Sequence, residues 1–413
     1  MHPYQNAPDR SFWSRSVSSG FDVRQLTDHD GPLIGPGEPV ASAGSCFASR
    51  LVPFLEAGFE YLRTERRNPA FSYGGPENLG YENFSAAYGN IYTPRQLLQL
   101  LRRCLGSFRP AEDRWHTDAG VIDPFRPGLR YHALTDREFD LLGAQHLRAV
   151  RRVFEEAKVF IFTLGLTEGW VSRLDGAVFP ACPGTVAGTF DEALHAFVNF
   201  SVDEVTSDLD AFVTELWALN RGVRIILTVS PVPLVATATG KHVLSSSTYS
   251  KAVLRASAEE IVRRHAFVSY FPAFEIVTGP QAPDAYLEAD RRSVTQEAIF
   301  TVMTAFLAAC EAPDEAARVA NAPREEGDSA RLLSRMLSQV ECEEEMADIP
   351  TKPVGDGAEE TIRELYSALL ARSPGERELK HLTDTARGMP VIDLVMLFVS
   401  SDEFKRRLKD TPA

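Results

Sequence analysis

The stretch Val159-Phe160-Ile161-Phe162-Thr163-Leu164 decides the fold class of this 413-residue chain. It is a continuous run of β-branched and aromatic residues that follows Lys158 and ends at Gly165, which is typical of a strand buried on both faces. Similar runs lie at 223–229 and 266–271, and a shorter one lies at 39–42. Strands that are apolar on both faces belong to parallel sheets covered by helices.

Amphipathic helical patterns separate these runs. Ser201-Val202-Asp203-Glu204 forms a capping box, and an apolar stripe at helical spacing follows it. The alternation predicts an α/β fold for residues 1–310, with a mainly parallel sheet sandwiched by helices. Ligands of such sheets bind outside the carboxyl ends of the strands, so the segments that follow each run are the candidates for chemistry.

The C-terminal part of the chain has a different composition. Residues 311–357 are rich in Glu, Asp, Ala and Pro, which predicts a solvated acidic linker. A compact helical pattern resumes in residues 358–413 and predicts a small all-helical module. Because so small a bundle is marginally stable alone, we expect it to dock on the main domain or on a protein partner.

Composition excludes several classes of function. Lys plus Arg number 43 against 57 Asp plus Glu, a net charge of −14, which disfavours nucleic acid or an anionic membrane as the main partner. No apolar run reaches the ~20 residues of a membrane span, and the first ten residues lack a signal-peptide pattern, so we expect a cytoplasmic protein.

The cysteine and histidine spacings give no sign of a metal or a disulfide framework. The five cysteines are Cys46, Cys104, Cys182, Cys310 and Cys342, an odd number with no C-x-x-C pair. No pair of histidines has metal-ligand spacing, so neither a metal nor another cofactor is expected. His146 and His195 are expected on helix surfaces.

The strongest candidate for chemistry is Gly44-Ser45-Cys46-Phe47-Ala48, where the first strand turns into a helix. A cysteine at a helix N-terminus has a lowered thiol pKa, and the N–H groups there can stabilise an oxyanion. The alternative is structural, with Cys46 a small buried residue and Ser45 a helix N-cap.

This stretch resembles the signature of the GSCFA family, a group similar to the SGNH/GDSL esterase-like hydrolases. The resemblance extends over roughly residues 37–310 through further motifs in order along the chain. These are Tyr88-Gly89-Asn90-Ile91-Tyr92-Thr93, Asp123-Pro124-Phe125-Arg126-Pro127, Thr163-Leu164-Gly165, Ser230-Pro231-Val232-Pro233, Tyr249-Ser250-Lys251 and Tyr270-Phe271-Pro272-Ala273-Phe274-Glu275. It implies an SGNH-like fold.

Matching the SGNH blocks to this chain implies roles for particular residues. Cys46 takes the place of the nucleophilic serine, and Ser45 is the rival nucleophile if the register differs by one. Gly89 takes the place of the second-block glycine, with Asn90 beside it as a further hydrogen-bond donor. The third block falls on Gly165-Leu166-Thr167, where Thr167 replaces the expected asparagine.

The final block, Asp-x-x-His, falls on Asp290-Arg291-Arg292-Ser293, so a serine replaces the expected histidine. Ser293 with Gln296 matches a capping box and is interpreted as the N-cap of the next helix. His242, in the loop after residues 223–229, is the best substitute base, although a solvated loop histidine would have the same pattern.

Three charged residues have secondary roles in this scheme. Glu168 and Asp290 are candidates for orienting a histidine, or are ordinary loop acids. Lys251 can bind an anionic part of a substrate, or simply face solvent. Cys182 is a candidate resolving cysteine for Cys46, against the simpler reading of a loop thiol.

Three functions follow. The first is an esterase or O-acyltransferase that acts through a Cys46 acyl-enzyme on a small-molecule or glycan ester. The carbohydrate substrate rests on the resemblance and on the C-terminal residues 364–404, which look like the phycobilisome-linker-type helical modules that accompany bacterial surface and glycan proteins. The second is an inactive SGNH-like module that binds a glycan or protein. The third is a redox sensor that uses Cys46.

Overall fold

The computed structural model describes residues 2–27, 31–66, 80–118, 120–129, 132–311, 359, 362–363, 366 and 372–386. The chain divides into two compact units. The first contains the described residues from 2 to 311, with the parallel sheet, and the described C-terminal residues belong to the second.

The centre of the first unit is a four-stranded parallel sheet with strand order β1-β4-β8-β9. The strands are β1 (Val40–Gly44), β4 (Val159–Leu164), β8 (Arg224–Val229) and β9 (Val268–Phe271). Residue Val40 pairs with Val159, and Val159 pairs with Arg224, so all strands point the same way. The four runs predicted from the sequence are therefore the four strands of this sheet.

Helices cover both faces of the sheet, which confirms the predicted sandwich. One apolar cluster joins Phe160, Phe162 and Leu227 to α4 (Pro94–Leu105), α5 (Asp136–Glu156), α6 (Val202–Leu219) and α7 (Val243–Arg264). The opposite cluster joins Ile161, Ile226 and Phe271 to α3 (Val52–Gly58), α8 (Ala273–Thr278) and α9 (Gln296–Ala308). Alternate residues of β4 thus enter opposite layers, as the pleat of a strand requires.

Small elements not foreseen in the sequence surround this core. A hairpin pairs β2 (Trp115–Thr117) with β3 (Gly120–Ile122), and an antiparallel sheet has the order β6-β5-β7. Its strands are β5 (Glu168–Ser172), β6 (Val178–Phe179) and β7 (His195–Asn199), and a short helix, α1 (Trp13–Ser16), lies near the N-terminus. The helix predicted after the first strand begins with α2 (Cys46–Ser49). Strands this short give little periodic signal.

Helix caps follow the sequence signals closely in α6. The Ser201 hydroxyl accepts from the Glu204 N–H, and the Glu204 side chain accepts from the Ser201 N–H, so the predicted capping box is present. His265 is the C-cap residue of α7, and its imidazole lies 2.7 Å from Asp210.

A buried ionic cluster anchors the loop that precedes α4. Glu65 accepts a 2.9 Å hydrogen bond from the Ala87 N–H, and Arg126 donates to the Ala87 carbonyl at 3.2 Å. His146 Nδ1 lies 2.7 Å from Glu65, and Arg126 donates to Asp123 at 2.8 Å. All four side chains are at least nine-tenths buried, so each charge depends on its partners.

The cluster holds its groups in fixed ionisation states. Burial by itself raises the pKa of Glu65, but His146, Arg126 and the Ala87 N–H outweigh it and lower the pKa to about 2. Burial and the Arg126 charge lower the pKa of His146. A neutral His146 then donates its Nδ1 proton to the Glu65 carboxylate.

Two histidines expected on helix surfaces are buried instead. His146 is 2% exposed on the inner side of α5. His195 lies in β7, not in a helix, and its Nε2 is 2.8 Å from Glu112. Their acidic partners, Glu65 and Glu112, are distant in sequence, which is why the local pattern did not reveal the burial of the two histidines.

The described part of the C-terminal unit contains one long helix. Ile362 and Tyr366 are buried, residues 373–375 break the helical pattern, and α10 spans Glu376–Ala386. Residues 312–357 of the predicted acidic linker and most of the predicted helical module lie outside the described residues. Among the helices that the structure describes, each is too short or too polar to cross a bilayer.

We predict that acid destabilises the first unit partly through His146. Its folded pKa lies below the unfolded value of roughly 6.5, so the unfolded chain binds more protons and stability falls as the pH drops through that value. Glu65, whose pKa is lowered to about 2, adds a further loss below about pH 4.5. The measurement is the urea unfolding free energy between about pH 7.5 and 5.

His146→Asn keeps a donor near the Nδ1 position and removes the titration, so the decline over this pH range should become smaller. His116→Asn, at an exposed histidine paired with Asp136, is the matched control and should leave the slope unchanged. An equal slope in the wild type and in His146→Asn contradicts the assignment.

Candidate functional site

The candidate site lies where β1 and β4 end and the chain leaves the sheet. β1 ends at Gly44, and Ser45 is extended, with φ −74° and ψ 177°. Cys46 is the first residue of α2 and is partly exposed, whereas Ser45 is 3% exposed. The Ser45 hydroxyl is buried and has no hydrogen-bond partner among the described residues. This geometry favours Cys46 over Ser45 as a group that a substrate can reach.

Glycine is required at position 44. Its φ is +150°, and a Cβ there would lie 2.6 Å from the Thr163 carbonyl oxygen and 3.0 Å from the Ala48 Cβ. β1 can therefore lie close to β4 and still turn directly into Cys46. This is the physical reason for the first residue of the motif.

The helix that follows Cys46 is shorter than expected. α2 ends at Ser49, and α3 begins only at Val52, so one predicted helix is two short ones. A single turn has a small dipole. A helix this short lowers the pKa of a thiol at its N-terminus less than a longer helix does.

The sulfur of Cys46 is part of a disulfide, whereas Cys104, Cys182 and Cys310 are free thiols. The sequence argued against a disulfide framework, and it did not reveal this single bond, because an odd cysteine count does not exclude one disulfide. The proposed pairing with Cys182 is not present. The fifth cysteine, Cys342, lies outside the described residues.

The loop that carries Gly89 and Asn90 bridges the two strand ends. The Ile91 N–H donates to the Gly44 carbonyl at 2.8 Å, and the Gly165 N–H donates to the Tyr92 carbonyl at 2.9 Å. A Cβ at Gly165 would lie 3.1 Å from Tyr92 Cα, so Gly165 permits this approach. Asn90 is buried and directly precedes Ile91, whose N–H binds the Gly44 carbonyl. This hydrogen bond joins the Asn90 loop to the end of β1, which leads into Cys46.

Thr167 does not have the role expected from the third block. It is completely buried, and its hydroxyl donates to Asn199 Oδ1 at 2.7 Å. Its N–H donates to the Ser250 hydroxyl at 3.0 Å. The single hydroxyl proton is thereby used inside the protein, so Thr167 is a structural residue and not a donor to a substrate.

Asn199 is a residue that the sequence analysis missed. It ends β7, is partly exposed and pairs with Glu168 across the antiparallel sheet. Its carbonyl oxygen faces Thr167, which places an amide side chain beside the Gly165–Glu168 segment. No local motif marks it, because its neighbours are 31 or more residues away in the chain.

Lys251 holds the backbone of the third block. Its ammonium group donates to the Gly165 carbonyl at 2.6 Å, and the residue is 4% exposed. Together with Ser250 it connects α7 to the segment after β4. The Lys251 ammonium group contacts a backbone carbonyl and is not presented to an anionic substrate group. The alternative that Lys251 faces solvent is wrong.

Glu168 is buried at the start of β5. It accepts a 2.7 Å hydrogen bond from the Thr237 hydroxyl, and the Ala238 N–H is a further donor. Burial raises the pKa of Glu168, although both hydrogen bonds oppose the rise. Side chains that transfer protons at functional sites are often buried carboxyls with a raised pKa.

His242 is exposed at the N-cap of α7, and its Nδ1 accepts from the Leu244 N–H at 3.2 Å. In the neutral form the proton is then on Nε2, which makes the imidazole a donor rather than a base. Within the described residues no hydrogen bond joins His242 to Glu168, and its role as the general base finds no support in these contacts.

Asp290 and Ser293 form a local turn. Asp290 accepts from the Arg292 and Ser293 N–H groups at 2.9 Å and from the Ser293 hydroxyl at 2.6 Å. The N-cap of α9 is Thr295, whose hydroxyl accepts from the Ala298 N–H. The predicted N-cap role of Ser293 is therefore wrong, and its hydroxyl binds Asp290 instead.

This turn is tied to the rest of the site. Arg50, which follows α2, donates to the Val294 carbonyl at 2.7 Å, and Arg292 donates to the Pro233 carbonyl at 3.2 Å. The segments after β1 and β8 and before α9 thus lie together. Among the described residues no group of three acidic, histidine or cysteine side chains is arranged to hold a metal ion.

The fold and this cluster of strand ends define a parallel α/β protein with a cysteine at the turn after its first strand. The family model described as the GSCFA family matches residues 39–306, more than half of the chain, so the protein belongs to the GSCFA family. Neither a curated protein nor a solved structure shows significant similarity to the chain.

We predict that Gly44→Ala destabilises the first unit by about 2–4 kcal/mol, because the new methyl group overlaps the Thr163 carbonyl and the backbone is strained. Gly143→Ala is the control. Gly143 lies inside α5 with open space around it, so alanine should raise stability by up to about 1 kcal/mol. Urea unfolding measures both, and a Gly44→Ala protein as stable as the wild type would refute the close approach.

Proposed function

We propose that the reduced protein is an ester hydrolase or O-acyltransferase that forms an acyl-enzyme on Cys46, with an acylated carbohydrate as the substrate class. The observation that carries the proposal is the position of Cys46. It is the first residue after the β1 turn, partly exposed, beside the loop that holds Asn90. The carbohydrate substrate rests on the family resemblance and on the C-terminal module.

The chemistry needs a thiolate and an acyl donor. The Cys46 thiolate attacks the ester carbonyl, a C–S bond forms, and the alcohol leaves as the C–O bond breaks. Water or an acceptor hydroxyl then attacks the thioester and restores the thiolate. Since Cys46 is in a disulfide, a thiol reductant must first cleave that bond, and the reductant is oxidised in the exchange.

A binding module without catalysis is the second candidate. Two observations favour it: Ser293 stands where a histidine is expected, and the Thr167 hydroxyl is used internally. Loss of a base and of an oxyanion donor each costs on the order of 100-fold. A thiolate depends on a base less than a hydroxyl does, which keeps the acyl-enzyme proposal ahead.

After reduction, Cys46 should react with iodoacetamide near neutral pH faster than the three free thiols. Burial raises the pKa of Cys104 and of Cys310 to about 12 and also raises the pKa of Cys182, so these sulfurs are poorly ionised. Timed alkylation followed by peptide mapping gives the rates. Without reductant Cys46 should stay unlabelled, and non-reducing peptide mapping identifies its partner. Labelling of Cys46 no faster than Cys182 would count against an activated thiol.

Turnover of p-nitrophenyl acetate should show a burst that requires reductant and disappears in Cys46→Ala, with a loss of about 1,000-fold or more in acylation rate. Ser45→Ala is the matched control, because the Ser45 hydroxyl is buried, and it should keep the burst. A burst lost in Ser45→Ala and kept in Cys46→Ala would exchange the two roles. Reversible oxidation of Cys46 without any turnover would indicate the redox sensor.

A further inference from the structure

We propose that the carboxyl end of the parallel sheet contains a binding site for one internal water molecule, which bridges the hydroxyls of Thr163 on β4 and Thr228 on β8. The site lies in the layer between the sheet and the helices α3 and α9. The inference goes beyond the proposed acyl-transfer function and does not depend on it.

An internal cavity of about 10 Å³ lies against the two threonines. Apolar side chains from the strands and from the helices of this layer form most of its wall, among them Leu55, Ile161, Phe271 and Met303. Every residue that lines the cavity is buried, so it is separated from bulk solvent. A single water molecule needs roughly 10–15 Å³, so the cavity suits one water and excludes a larger ligand.

The hydroxyls of Thr163 and Thr228 are buried and have no hydrogen-bond partner among the described residues. Thr163 is 0% exposed, Thr228 is 1% exposed, and the two hydroxyls do not bond to each other. A hydroxyl that leaves water on folding and gains no partner destabilises the native state. Native proteins satisfy nearly all such groups with other protein groups or with ordered water. Two such hydroxyls at one cavity therefore point to a bound water.

The register of the sheet gives the two hydroxyls a separation that one water can bridge. Thr163 pairs with Thr228, and two residues earlier Ile161 pairs with Ile226. Both isoleucines face α3 and α9, so both threonines face the same layer. Neighbouring strands lie about 4.8 Å apart, and a water with two hydrogen bonds of about 2.8 Å spans about 4.5 Å.

Ser42 on β1 offers the water a third partner. It lines the same cavity, and its hydroxyl lies 2.7 Å from the Tyr61 hydroxyl. A serine hydroxyl donates once and accepts twice, so it retains capacity for another hydrogen bond after it binds Tyr61. Buried waters typically make about three hydrogen bonds, which matches the hydroxyls of Ser42, Thr163 and Thr228.

The water site lies beneath the contact between β1 and β4. A Cβ at Gly44 would lie 2.8 Å from the Thr163 Cβ and 3.0 Å from the Ala48 Cβ, and Thr163 and Ala48 both line the cavity. A water there links side chains of β1, β4 and β8 in addition to the backbone hydrogen bonds of the sheet. Its role is structural, because it satisfies buried hydroxyls under the turn that carries Cys46.

Valine substitutions distinguish a hydrated site from a dry one, because valine has nearly the shape of threonine and lacks the hydroxyl. If the cavity binds the bridging water, Thr163→Val and Thr228→Val should each raise the equilibrium constant of unfolding by about tenfold. Urea unfolding of the full-length protein measures this constant. If either valine lowers the constant, its hydroxyl is unsatisfied in the native state and the proposal is overturned.

The double variant Thr163→Val/Thr228→Val tests whether one water serves both hydroxyls. After the first substitution the bridge is lost, so the second should change the constant by less than about 3-fold. Thr206→Val is the matched control, since the buried Thr206 hydroxyl lies 2.9 Å from Ser257 Oγ on the other side of the sheet. Its effect should multiply with that of Thr163→Val. Effects of Thr163→Val and Thr228→Val that also multiply would overturn the bridge.

A high-resolution crystal structure of the wild-type protein tests the site directly, and it does not depend on whether the variants fold. Electron density for one water is expected within about 3.2 Å of both Thr163 Oγ1 and Thr228 Oγ1. Well-ordered threonines without density between them would overturn the proposal.

Discussion

The close contact between β1 and β4 at their carboxyl ends is the constraint on which the rest of the site depends. Gly44 has a φ of +150° and leaves no room for a Cβ against the Thr163 carbonyl. Because the strands meet there, the chain can turn at Ser45 and present Cys46 at the edge of the sheet. The same end of β1 offers the Gly44 carbonyl to Ile91, which brings in the Asn90 loop.

The second requirement is a rigid support for that loop, and buried charge provides it. Glu65 and Arg126 bind the N–H and the carbonyl of Ala87, so both backbone polar groups of one residue are held by ionised side chains. This explains the Asp123–Pro127 motif, since Asp123 fixes Arg126 and Arg126 fixes the loop. The motif acts on the backbone near the site and does not need to touch a substrate.

The sequence predicted the parallel sheet because long apolar runs and helical stripes are strong, local signals. It also predicted the turn at Cys46, since Gly44, Ser45 and the strand before them are contiguous. It failed for the antiparallel β5–β7 sheet, whose strands are short, and for His146, whose buried partner Glu65 is 81 residues away. Contacts such as Thr167 with Asn199 and Glu168 with Thr237 join distant segments that no periodicity connects.

The segment from Asp290 to Ser293 forms a turn that is tied to the residues after β1. Ser293 uses its hydroxyl to bind Asp290 in a local turn, and that turn is held by Arg50 through the Val294 carbonyl. The backbone at this position therefore lies beside the segment that follows β1 and α2. Glu168 is the buried acid in the described structure that has no cationic partner, so it can change its charge without breaking an ion pair. Burial raises the pKa of this carboxyl, and only neutral donors, Thr237 and Ala238, oppose the rise, so its charged form is costly to keep inside the fold.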